Sequence, residues 1–193
     1  MSTPQSGIFA LGTASHAYLE LALRPSVDER ELVTAVATMR EPRTTMGGLN
    51  LVTGFRPELW SRVAPGDAPA GVTGFNGAVL GAGGYQMPAT QHDAVLWLSG
   101  SAYDVVFDVA RRAIAALDGL ALVAEETSSW PYHHDLDLTG FIDGTENPSL
   151  IDAADVALVP EGPPGPAARS CCSRNGPTTP RRGRRSRSPD RSR

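Results

Sequence analysis

A chain of 193 residues that is 41% hydrophobic, with 20 glycines and 16 prolines, can bury a real core and suits a globular, loop-rich α+β protein. It contains no uninterrupted apolar run near the roughly 20 residues of a membrane span, and residues 1–7 carry no basic patch ahead of an apolar stretch. The expectation is therefore a protein without membrane association or secretory leader, placed in the cytoplasm. The net charge of −4 conceals two regions: residues 169–193 carry nine arginines against Asp190 alone, a net +8, whereas the first 168 residues are at −12 with eight arginines and 20 acids. The only cysteines, Cys171 and Cys172, are adjacent and suit neither an ordinary disulfide nor a Cys-x-x-Cys metal site.

In chain order, Gly7 to Leu11 reads as a strand region continuing to Ala17 through Leu21. A helix follows, with Ser26 as cap and Glu29 at capping-box spacing, and Leu32, Val33, Val36 and Met39 form its apolar face before Pro42. Gly48 to Thr53 is strand-like, and a short helix is expected from Pro57 to Val63. Residues 64–90 are a connection rich in Gly, Pro and Ala, with no Gly-Lys-Ser/Thr phosphate loop. Ala94 to Leu98 is a buried-strand run that takes Trp97 into the core. Ser101 and Asp104 have cap spacing before an apolar stripe of Val105, Val109, Ala113, Ile114 and Leu117, with Gly119 as stop and Leu120 to Ala124 as the next strand. Strand, helix, strand, strand, helix, strand is the split βαβ order of a ferredoxin-like sandwich.

The stretch with chemical content is Asp137-Leu138-Thr139-Gly140-Phe141-Ile142-Asp143-Gly144-Thr145-Glu146-Asn147-Pro148. Gly140 and Gly144 permit positive φ or close backbone approach, and Pro148 ends the segment. By chemistry alone this is a turn first and a site second. Glu125 and Glu126 with Asp135 and Asp137 read as a solvated acidic rim, and lone histidines such as His16 and His92 as structural.

Gly140-Phe141-Ile142-Asp143-Gly144, extended through Thr145, Asn147 and Pro148, resembles the Gly-x-x-Asp-Gly signature of the dye-decolourising (Dyp-type) haem peroxidases. Pro4-Gln5-Ser6-Gly7-Ile8 and Pro88-Ala89-Thr90-Gln91-His92-Asp93 are similar to segments of cytoplasmic bacterial members, in the same order. The resemblance implies two ferredoxin-like halves around haem b, with residues 1–128 as the first half and 129–166 as the start of the second. It implies hydrogen peroxide as oxidant and a phenolic or dye-like reductant. Asp143 then matches the distal aspartate that moves a proton between the peroxide oxygens, and Gly144, Thr145 and Glu146 lie against the macrocycle. Homo-oligomers and packaging in protein shells occur among relatives; no membrane and no specific nucleic acid is implied.

The resemblance also implies an axial histidine and a distal arginine from the second half, and none of His16, His92, His133 or His134 matches the axial position. Residues 167–193 read as out-of-frame text. Shifted by two bases, their codons allow an apolar run followed by Gln/Lys/Glu, Lys/Glu and Trp/Arg, the wording with which the family continues. The expectation is an impaired peroxidase. The alternatives are a noncatalytic haem- or partner-binding fragment and, for the tail, a disordered arginine arm that binds phosphates nonspecifically.

Overall fold

The computed structural model describes residues 4–41, 48–133, 136–142, 144–145 and 147–158. The tail and its frame reading lie outside them. The chain opens on a single 3-10 turn, Ser6–Phe9, rather than the expected strand. Gln5 explains the difference: its side chain donates to the Thr53 carbonyl at 2.8 Å and accepts from the Thr53 amide at 2.8 Å, tying the segment to the strand beside it. Gly7 then lies so close that an added Cβ would stand 2.6 Å from Val52 Cγ2.

Strand β1 is Ser15–Leu23 and helix α1 is Glu29–Thr38. The cap of α1 is Asp28, whose carboxylate accepts from the Arg30 amide at 2.7 Å, and not Ser26. Strand β2 is Leu49–Phe55, and helix α2 spans Pro57–Val63 as expected, with proline in its first turn. Within the 64–90 connection, Val79–Leu80 (β3) and Gln86–Met87 (β4) pair as a small antiparallel hairpin. Strand β5 is Ala94–Gly100, helix α3 is Tyr103–Leu117, and strand β6 is Ala121–Ser129, longer than its apolar start suggests. A short helix α4, Ala153–Ala157, closes the described chain.

The main sheet has the order β2-β5-β1-β6, every neighbour antiparallel. Helix α1 carries the chain from β1 past β5 to β2, and α3 carries it from β5 past β1 to β6, which is the ferredoxin-like topology expected from the element order. Both helices pack on one face. Leu32 and Val36 of α1 and Val106, Ala110, Ala113 and Leu117 of α3 meet Leu19, Leu21, Leu51, Leu96 and Leu98 of the sheet. The buried line of α3 is rotated from the predicted stripe, so Val105, Val109 and Ile114 flank the core instead of centring it. Ser101 makes no cap, since Ala102 occupies that position.

Asp93 fixes where three strands end. Its carboxylate accepts from the Leu23 amide at 2.8 Å and pairs with Arg56 at 2.7 Å, while its own amide donates to the Leu21 carbonyl at 2.9 Å. None of the described helices is long and apolar enough to cross a membrane. Leu96 is fully buried at the sheet centre, so Leu96→Ala should cost about 2–5 kcal/mol of unfolding free energy, read from urea denaturation.

Candidate functional site

Past β6 the chain turns on itself in two steps. Leu136 bridges Tyr132 and then Ile142, and the Leu136 amide donates to the Tyr132 carbonyl at 3.1 Å. Asp137 organises the second step. One of its carboxylate oxygens accepts from the Thr139 hydroxyl at 2.6 Å, the Thr139 amide at 2.8 Å and the Phe141 amide at 3.0 Å. The Asp137 amide in turn donates to the Phe141 carbonyl at 2.9 Å. The Thr139 hydroxyl, then the amide donors, hold the Asp137 carboxyl below the ordinary aspartate range. A residue read as part of an acidic rim is thus the hub of the turn.

Gly140 has φ +88° and Gly144 φ +80°, conformations that disfavour any side chain. At Gly144 an added Cβ would also stand 2.6 Å from Asn147 Nδ2. Both motif glycines are therefore required by backbone geometry. Gly144 and Thr145 are exposed. Asp143 and Glu146, expected as the distal acid–base and a haem neighbour, lie outside the described residues.

The flanks of the turn are apolar and uncovered: Leu138 is 75% exposed, Phe141 71% and Ile142 67%. Such side chains are open to contact by another apolar surface, whether of a protein or of a flat ligand such as a porphyrin. The donor set does not extend to its iron. His133, exposed at φ +42°, packs its ring edge against Tyr132 at 4.3 Å, and no other described histidine belongs to this segment. His16 is committed within the sheet: its Nδ1 accepts from the Trp97 indole at 3.1 Å, and burial lowers its pKa. A cavity of about 380 Å³ between Ser15, Ser101, Tyr103, Ser129 and Trp130 has no carboxylate, imidazole or thiol in its lining.

The sheet face away from the helices carries what strand periodicity alone did not resolve. Trp97 is half-buried there rather than in the core, its ring stacked on Tyr18 at 5.7 Å and on His16 at 6.0 Å. The signal was available in the β5 alternation, since Leu96 and Leu98 take the core side.

Fold and turn together define a class: a ferredoxin-like α+β unit whose last sheet strand runs into an acidic turn framed by two glycines. Residues 9–130 match the family model of the Dyp-type peroxidase N-terminal region. The chain is 32% identical over 123 residues to a dye-decolorizing peroxidase of Brevibacterium linens, covering 62% of this chain and 32% of that one. It is 30% identical over 133 residues to a dye-decolorizing peroxidase of Mycolicibacterium paratuberculosis, covering 68% and 36%. A variant of DypB from Rhodococcus jostii RHA1, solved in complex with heme, superposes with a TM-score of 0.72 at 30% identity over 84% of this chain and 54% of that one. The chain belongs to the Dyp-type peroxidase family. It spans about a third of the length of these curated relatives and about half of that solved chain.

The depressed Asp137 pKa sets a sign. The turn's stabilisation is fully present above the unfolded aspartate value of about 3.9 and is lost as pH falls through the lower folded value. Carboxyl-detected NMR should place the Asp137 midpoint below that of a free aspartate. In Asp137→Asn the Phe141 amide should exchange with solvent faster than in the parent at neutral pH.

Proposed function

We propose that this chain supplies the proton-handling wall of a haem peroxidase site, with Asp143 as acid–base and the backbone of Gly144, Thr145 and Glu146 beside haem b. Hydrogen peroxide is the oxidant and a small phenolic or dye-like molecule the reductant, in the cytoplasm. The observation that carries this reading is the turn between Gly140 and Gly144, held at positive φ with Phe141 and Ile142 uncovered beside it, in a chain whose relatives are dye-decolorizing peroxidases.

When bound, haem supplies the two-electron reduction of peroxide and the one-electron oxidation of the reductant. The chain's own part is the proton. Asp143 takes it from the inner peroxide oxygen and returns it to the outer one, so that water leaves; a carboxylate does this well when burial brings its pKa near working pH. Phe141 and Ile142 exclude bulk water once a ligand covers them.

The resemblance assigns the axial histidine to the second half, and no described histidine matches that position, so turnover by this chain alone should be weak. The uncovered Leu138, Phe141, Ile142 and Ile151, the last 90% exposed, favour a second reading as well: a noncatalytic fragment that binds haem or docks on a partner such as an intact family member.

Titration with haem, followed by peroxide-driven oxidation of a phenol with and without added imidazole as a substitute ligand, separates the two. The enzyme reading expects a Soret band and turnover that imidazole raises, reduced roughly 10²–10⁴-fold by Asp143→Ala. Equal turnover in the parent and Asp143→Ala across pH would refute the acid–base role. A Soret band without turnover, or a colourless protein, supports the fragment.

A further inference from the structure

On the open face of the sheet, three side chains with no role in the proposed reaction converge. Glu20 lies on the central strand β1, Glu125 on the edge strand β6, and His92 two residues before β5. One carboxylate or imidazole ligand atom from each falls within 4.8 Å of the other two, and His92 Nε2 is 3.9 Å from Glu20 Oε2. We propose that Glu20, His92 and Glu125 form a binding site for a divalent first-row transition cation.

The backbone aims all three. Glu20 and Glu125 are direct cross-strand partners, so both side chains project from the same face. The ladder shifts register between Glu20 and Leu21, an irregularity of the kind that re-aims side chains. His92 is held by its neighbour Asp93, whose contacts to Leu21, Leu23 and Arg56 leave that loop little freedom. The ligands thus come from three separate segments.

Placing two carboxylates opposite each other on neighbouring strands is unfavourable, and water screens the Glu20 side chain, 15% exposed, only in part. A divalent cation offsets both carboxylate charges and takes the imidazole as its third ligand. One imidazole and two carboxylates suit zinc, iron(II) or manganese(II) better than an all-oxygen calcium site or a thiolate site. Metal–ligand bonds of about 2.0–2.2 Å put tetrahedral ligand atoms about 3.3–3.6 Å apart, so the three ligand atoms, now within 4.8 Å of one another, would draw together on binding. Three protein ligands leave a position for water. Occupancy would fasten β6 to β1 immediately upstream of the motif turn.

Zinc is the probe. Calorimetric titration of the full 193-residue chain with Zn²⁺ should show one site, and Zn²⁺ should raise the melting temperature. Glu125→Gln, on the edge strand, and His92→Gln should each weaken binding roughly tenfold or more, with unchanged far-ultraviolet circular dichroism. His133→Gln and the double change Cys171→Ser with Cys172→Ser remove an imidazole and two soft thiols from elsewhere in the chain and should leave binding as it was. Absence of Zn²⁺ binding by the parent overturns the proposal, whether or not any variant folds. So does binding that survives Glu125→Gln and His92→Gln, or binding that disappears with the cysteines.

Discussion

Strand β1 is paired along both sides, by β5 and by β6, and that double pairing constrains the sheet and both of its faces. Side chains alternate along a strand, so once Ala17, Leu19 and Leu21 face the helices, His16, Tyr18 and Glu20 must face away. A slip of one residue would bury a histidine, a tyrosine and a glutamate and expose three core residues. The register is therefore specified by burial on one side, and the chemistry of the other side follows from it.

Two consequences meet on that second side. The aromatic stack of His16, Tyr18 and Trp97 occupies one end, with the Trp97 indole donating to His16. The Glu20, His92 and Glu125 cluster occupies the next positions along β1. Both sit on a sheet whose opposite face carries α1 and α3, so they are mounted on a packed support rather than on loops. Asp93 contributes to both sides of this arrangement: it closes the ends of β1, β2 and β5 and holds His92 in place.

The glycine-framed turn is a separate construction. It has no buried residue among those described, and its order comes from hydrogen bonds to Asp137 and from two backbone positions that only glycine adopts easily. Such a segment presents apolar side chains outward and relies on a ligand or another packed unit to cover them. That is the state in which Leu138, Phe141 and Ile142 stand.

Much of this was legible in the residues. Local chemistry determined the order of the four main strands and the two helices packed on them, the extent of α2 behind Pro57 and the glycines of the motif, because turn formers, apolar periods and a short motif act over a few neighbours; the family was legible as a resemblance of that motif. Tertiary structure decided the rest. The buried line of α3, with Val106 and Ala110 in place of Val105 and Val109, and the 3-10 turn at Ser6–Phe9 tied to Thr53 each depend on what packs alongside. The meeting of Glu20, His92 and Glu125 depends on strand pairing across about a hundred positions of chain, which no local pattern encodes. Sequence specifies each side chain and its near neighbours; only the closed sheet, by burying one parity of every strand, determines which distant charges must face each other.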